Sequence, residues 1–372
     1  MKKNFFRTLA ALVMLAAMAG LMTACTIDDN PVIPQPDEDE PGWKGSGTAD
    51  NPYIVRSKSD LSDLADSVNS GITHEGQYFK MTANIDLENI SWTPIGSYAK
   101  YFLGTFDGNG KTISNLKIDE PAYTSGCGLF GAVGIGGIVK DLTVSGKVMM
   151  QGGNRNSSNV GGIVGRLYCG TIQNCVNNCD VTAGRQVGGI VGLQTGSVIN
   201  CTNNGTVTAT FAYAEGDACA VGGIAGVMAD DGYKTNPDKH ISGCINNGAV
   251  NGSTIGFYVG GIVGDVNNYH GSRSTLSVID CQNKGVITGY RKGIAGCVGF
   301  VRQASKSANI TGNHNNGKIY AKTIDNITPT NIGVVVGNDK GVQSGNSFGP
   351  NTAIYIDDIE QPLSQYTSEL AQ

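Results

Sequence analysis

Cutting a glycosidic bond needs at least two carboxylates, usually with a proton-moving partner nearby. Two neighbouring segments of this chain offer such groups. One carries Asp230, Asp231, Tyr233 and His240, and the other Asp265, Tyr269, His270 and Arg273. Asp230, Asp231, His270 and Arg273 are therefore the candidate catalytic residues for turnover of a polysaccharide. The plain alternative is charge solvated on loops, and the sequence favours it. A second set is better suited to binding: Phe211 with Tyr213, Phe257 with Tyr258, and Tyr290 with Arg291. Exposed rings can stack on sugars or dock a protein loop, or else fold back over their own scaffold. A third set, Cys175, Cys201, Cys244 and Cys281, invites a metal or redox reading.

Whether any of these groups meet depends on the elements that carry them, and composition narrows those. Gly supplies 54 of 372 residues, about twice its usual share of roughly 7%, and charged residues are 15% against about 25% in average domains. There are also 33 Asn. Helical bundles and coiled coils want Ala, Glu, Lys and Leu instead. A net charge of −5 argues against a nucleic-acid partner. Abundant Gly and Asn mean many turns, and so many short strands.

The strands repeat. Val160-Gly161-Gly162-Ile163-Val164-Gly165 recurs as Val187 to Gly192, Val221 to Gly226 and Val259 to Gly264, at spacings of 27, 34 and 38 residues. Weaker echoes are Gly128 to Gly131, Gly293 to Gly296 and Gly333 to Gly337. Each full hexad is followed by an Ile/Val-x-Asn/Gly/Asp-Cys block, at Ile172, Val198, Ile241 and Val278, and a related block starts at Ile310. Blocks of fixed length with variable loops between them describe stacked rungs about 4.8 Å apart, a parallel β-helix. On such rungs Asn178, Asn204, Asn247 and Asn316 are expected at tight turns as residues tolerant of αL. The cysteine column becomes an inward ladder of small side chains that neither disulfide geometry nor a single ion suits, with Asn313 taking the next slot. Cys127, Cys169, Cys179, Cys219 and Cys297 follow no such column. Asn177, Asn203, Asn246, Asn283 and Asn315 form a structural amide ladder. No metal or cofactor is expected; no spaced Asp/Asn/Gly calcium loop is present.

Gly-Gly-Ile-Val-Gly followed by Ile-x-Asn-Cys-x-Asn-x-Gly-x-Val resembles the GLUG-motif repeat of bacterial surface β-helices of Bacteroidetes type. The segment Gly104-Thr105-Phe106-Asp107-Gly108-Asn109-Gly110-Lys111-Thr112-Ile113 resembles the lead-in usual in that group. The resemblance spans about residues 46 to 345 and implies an all-β, right-handed parallel β-helix of adhesin-like proteins. Such repeats also occur in non-catalytic regions of surface proteases. The zinc motif of those proteases is absent, since His74-Glu75 is followed by Gly76-Gln77-Tyr78 with no second His at the needed spacing. The Asp, His and Arg set resembles β-helix glycosidases of acidic polysaccharides only in part. His270 follows Tyr269 rather than Gly, and no basic strand motif follows Arg273.

The N-terminus reads as an address. Lys2, Lys3 and Arg7 precede an apolar run from Leu9 to Leu21, too short to span a bilayer and of signal-peptide length. Met22-Thr23-Ala24-Cys25 resembles a bacterial lipobox, which implies lipidation at Cys25 and a membrane partner through that anchor. Cleavage would leave 23 basic against 31 acidic residues, a net charge of −8. The expected organisation is a signal peptide over 1–24, the lipidated Cys and a Pro/acidic linker over 25–45, an N-terminal helical cap and first rungs over 46–120, GLUG-type repeats over 121–350, and a C-terminal cap or tail over 351–372. Ser57 and Gly71 bound the cap helix. The expected protein is an outer-membrane, surface-facing lipoprotein used for adhesion or for binding a glycan or a host or surface protein. The alternatives are a carbohydrate-active β-helix enzyme and a structural stalk or assembly subunit.

Overall fold

The computed structural model describes residues 42–120, 126–150, 159–210, 219–230, 238–254, 256, 258–267, 275–302, 308–338 and 341–367. Their architecture is a parallel β-helix: one 23-stranded sheet and two six-stranded sheets, with every strand pairing but the last parallel.

The hexads build the two smaller sheets. In one, Asn159–Gly161, Gln186–Gly188, Ala220–Gly222, Val259–Gly260, Lys292–Ala295 and Thr330–Gly333 lie side by side. In the other, Phe130–Val133, Val164–Leu167, Val191–Gln194, Ala225–Ala229, Val263–Asn267 and Val298–Val301 do the same. Register corrects the reading of the weak echoes. Val259 pairs with Ile294, Val263 with Val298 and Ile294 with Ile332, so the later hexads begin at Ile294 and Ile332. Cys297 thus fills the column of Ile163, Ile190, Ile224 and Ile262. Cys127 pairs with Val160, and Cys179 with Gly146. Three of the cysteines that spacing left unplaced are therefore repeat positions filled by a small apolar side chain.

The long sheet carries the Asn/Cys blocks, and their ladders run through the core as expected. Asn177 donates through Nδ2 to Oδ1 of Asn203, Asn203 to Asn246, Asn246 to Asn283 and Asn283 to Asn315, each at 2.8 Å. Each of these Nδ2 groups also donates to the carbonyl two residues on, at Cys179, Gly205, Gly248, Gly285 and Gly317. All five amides are fully buried and satisfied. This ladder explains the second glycine of the hexad. A Cβ on Gly223 would stand 2.2 Å from Asn246 Cγ and 2.2 Å from the Gly261 carbonyl oxygen. The amide column occupies the space a side chain there would need.

The thiols of Cys175, Cys201, Cys244 and Cys281 stack inward beside it, and the Cys201 amide donates to Cys244 Sγ at 3.4 Å. Each thiol donates to the carbonyl two residues before it, at 3.2 to 3.4 Å. Nine described cysteines are buried as thiols. Burial pushes the thiols of Cys179, Cys201 and Cys281 above their ordinary range, which keeps them protonated. The left-handed turn sits one residue before this column, not at the expected asparagines. Asn174, Asn200, Gly243, Asp280 and Gly312 have φ of 53°, 51°, 62°, 52° and 68°. Asn178, Asn204 and Asn247 instead form an outward amide ladder with 2.8 Å steps.

The helix Lys58–Ser70 closes the N-terminal end. Ser57 Oγ accepts from Asp60 N at 3.1 Å, Asp60 Oδ2 accepts from Arg56 N at 2.7 Å, and Gly71 ends the helix at φ 115°. Leu61, Leu64, Ala65 and Val68 face the core. His74 is buried beside it, with Nε2 on Ser67 Oγ at 2.8 Å and its ring edge-on to Phe79; burial lowers its pKa and keeps it neutral. At the far end, Ile354–Ile356 turns back as a hairpin with Ile359–Gln361, and Leu363 and Tyr366 pack against the core.

Candidate functional site

Of the four acid–base candidates the structure describes Asp230, and it is positioned for structure. Asp230 and Lys239 flank the segment 231–237, and Lys239 Nζ lies 2.8 Å from Asp230 Oδ1 with both side chains wholly shut off from solvent. Lys239 pairs with Leu276 in the long sheet, where an alternating strand turns it into the core. A buried ion pair thus joins Asp230 and Lys239. This corrects the expectation of solvated charge for Asp230. Its carboxylate is already neutralised and inaccessible, so it has no route to a substrate proton.

Asp265 is likewise fully buried, with Arg302 Nε 2.9 Å from its Oδ2. Burial raises its pKa from 3.8 to about 6 against the opposing pull of Arg302. His240, on the long sheet, shares a 3.4 Å contact with Ser197 Oγ. Asp231, His270 and Arg273 lie outside the described residues, as do Tyr233 and Tyr269.

Of the expected aromatic edge, Phe211, Tyr213 and Phe257 lie outside the described residues. Tyr258 stacks on Phe300 with ring centroids 4.5 Å apart and planes 17° from parallel. Arg302 lies 5.4 Å over Tyr258 and Lys292 Nζ 4.9 Å over Phe300. Tyr258 also packs on Ala220, Val227 and Ala229, which form a small apolar cluster apart from the main core. Tyr290 is half-buried. Arg291 Nη2 lies 3.4 Å from Asp325 Oδ2, and its Nε donates to the Thr254 carbonyl at 3.4 Å.

A second aromatic group lies nearer the N-terminal end, on the outer side of the sheet that carries Phe300. Phe102 bridges to Val133, and Val133 pairs with Leu167, all three inward. The alternation therefore turns Tyr101, Arg166 and Tyr168 outward. Their rungs are separated by Ala132 and Gly134, which add almost nothing outside; a Cβ on Gly134 would meet Leu103 Cδ2 at 2.4 Å and Tyr101 Cβ at 2.9 Å. Tyr101 and Tyr168 consequently meet across a whole rung at 5.8 Å, and Tyr98, on the turn between Ser97 and Lys100, joins at 6.4 Å from Tyr101. Arg166 Cζ sits 4.3 Å from the Tyr98 centroid and 5.9 Å from that of Tyr168. Tyr98 is 52% exposed, so the group opens to solvent. Burial holds the Tyr101 hydroxyl above its ordinary pKa.

These four residues were missed because nothing periodic marks them. Tyr98 and Tyr101 precede the repeats and Tyr168 follows the first full hexad, so only rung register brings them together.

A concavity of about 640 Å³ beside the first rungs is lined by Tyr78, Lys80, Asp107, Asn109 and Lys140, among others. Two of its charges, Lys140 and Asp107, satisfy one another. Lys140 Nζ lies 3.0 Å from Asp107 and 3.3 Å from Asp141, and the Asp107 hydrogen bond raises its pKa.

Comparison with known proteins agrees with this architecture. The GLUG motif family matches residues 183–208. Halomucin of Haloquadratum walsbyi is 36% identical over 160 residues, 40% of this chain and 2% of its own length. A protein of Evansella cellulosilytica, provisionally named a Gly-rich membrane protein, is 32% identical over 133 residues, 35% of this chain and 15% of its own length. The chain thus spans a small fraction of either relative. A crystal structure from Bacteroides ovatus, provisionally named an immunoglobulin A1 protease, superposes with a TM-score of 0.50 at 17% identity, covering 86% of this chain and 81% of that one. That likeness is one of fold. With the motif matched at one rung and its hexad in register on the rungs either side, the chain is a parallel β-helix that carries a GLUG motif.

Proposed function

We propose that this protein is a cell-surface lipoprotein, anchored by lipid at Cys25, whose β-helix binds saccharide through aromatic groups on its outer face and catalyses nothing. The observation that carries this reading is the convergence of Tyr98, Tyr101, Tyr168 and Arg166 at an open surface. Ring faces match the C–H faces of pyranoses, and a rigid solenoid holds them at low entropic cost. The described acid candidates support the non-catalytic part, because Asp230 and Asp265 are consumed in buried ion pairs. One sequence relative is named a membrane protein, in keeping with the anchor.

A glycan array probed with the wild-type protein and with Tyr98→Ala, Tyr168→Ala and Tyr258→Ala tests the reading. Hits that vanish with Tyr98→Ala and Tyr168→Ala are expected. An array without hits, or hits that all three variants retain, would overturn it.

A further inference from the structure

We infer that the Arg166 guanidinium selects a saccharide bearing a carboxylate, a uronic-acid type of sugar, at the tyrosine group. The inference rests on the saccharide reading above and adds the ligand's charge to it. Arg166 is a cation without a counter-ion: among the described residues no carboxylate lies within ion-pair distance. Its Nε is shut off from solvent and has no hydrogen-bond partner. The other arginines with a recorded charge partner show what the fold does elsewhere: Arg56 has Asp60, Arg291 has Asp325 and Arg302 has Asp265.

The tyrosine rings supply the missing stabilisation only in part. A guanidinium over a ring gains cation–π attraction, most when it is stripped of water. Its planar fork of N–H donors remains suited to a bidentate carboxylate. The Tyr101 hydroxyl, held neutral by burial, does not compete for that role.

Long-range attraction does not draw an acid here. The net charge is −5, so the body repels anions, and capture must come from this one guanidinium at short range. The ring faces beside it, with centroids 5.8 and 6.4 Å apart, favour a sugar over an acidic peptide because they offer stacking surface next to the charge.

The test uses the full chain and two oligosaccharides that differ only at C6, one with a glucuronate carboxylate and the other with the neutral hydroxymethyl group. Titration calorimetry should show the wild type binding the acidic sugar at least about tenfold more tightly, the gain expected of one charge-assisted contact. Arg166→Gln should erase that preference, so that the acidic and the neutral sugar bind the variant alike. Arg166→Lys, which keeps the charge but loses the fork, should retain part of it. Equal wild-type affinity for both sugars overturns the inference and leaves the saccharide reading standing. A preference that survives Arg166→Gln places the carboxylate elsewhere and also overturns it. Binding of a poly-glutamate peptide in place of either sugar overturns the choice of ligand class. Failure to bind any sugar on the array overturns both readings together.

Discussion

Replacing Asn246 with Asp changes one atom and should damage the fold severely. In the wild type the Asn246 Nδ2 donates to the Gly248 carbonyl and to Asn283 Oδ1, both at 2.8 Å, while its Oδ1 accepts from Asn203 at 2.8 Å. An aspartate fills the same volume but turns an oxygen toward two acceptors. Two hydrogen bonds are lost and two buried oxygens are left facing a third. At about 1 to 3 kcal/mol for each of the two buried acceptors left unsatisfied, the cost is about 2–6 kcal/mol at pH 7. That is a large part of a typical domain's total stability of roughly 5–15 kcal/mol.

The pH dependence gives a second signature. Burial among acceptors disfavours the ionised carboxyl, so its folded pKa lies above the unfolded value near 3.9. The folded state therefore holds the proton more tightly, and the deficit grows as pH rises through and beyond that value. At pH 4 the neutral acid regains one donor. Urea unfolding followed by circular dichroism at pH 4 and pH 7 measures both effects. Asn247→Asp is the control: its neighbouring side chain faces solvent in the outer ladder and should cost under about 1 kcal/mol. A deficit for Asn246→Asp below about 1 kcal/mol at pH 7, or one that does not change with pH, would refute the amide ladder as a source of stability.

Two further outcomes follow from the buried charges. Because Asp265 has its pKa raised from 3.8 to about 6, the folded state takes up the proton first, and stability should fall by about 2 kcal/mol as pH rises from 4 to 7. Asp265→Asn should flatten that decline in a series of melting curves; parallel curves for the two proteins would rule it out. Lys239→Met leaves the Asp230 charge buried without its cation and should cost about 3–5 kcal/mol, while the double replacement Asp230→Leu/Lys239→Met should recover most of that loss in the same melts.

The scaffold was largely legible in the sequence. The hexad and the Asn/Cys block reveal rungs because the inward positions of stacked rungs must be filled alike. Cys201 over Cys244 and Asn203 over Asn246 came out where the spacing placed them. Boundaries were harder where the filling residue changed. Cys297 hides an Ile column, and the echo read from Gly293 to Gly296 is for that reason out of register with the hexad that starts at Ile294. The turn position was misread because Asn is abundant on both sides of the block. Only backbone geometry separates Asn174 and Asn200, which adopt the left-handed region, from Asn178 and Asn204, which bond along the outer ladder.

The surface was legible only in part, for a physical reason that bears on how such a solenoid acquires function. An inward side chain answers to two neighbours at fixed distance, so its type recurs. An outward side chain answers to water and can change from rung to rung without strain, so a site there leaves no period behind. What joins Tyr101 to Tyr168 is the smallness of Ala132 and Gly134 on the rung between. Asp230 shows the converse. It looked like surface chemistry because it borders a loop of changing length, yet Lys239 on the returning strand draws it inside. Loop length in this fold can therefore vary while the charge at its base stays structural. A binding group arises wherever two outward rings face each other over a rung too small to keep them apart.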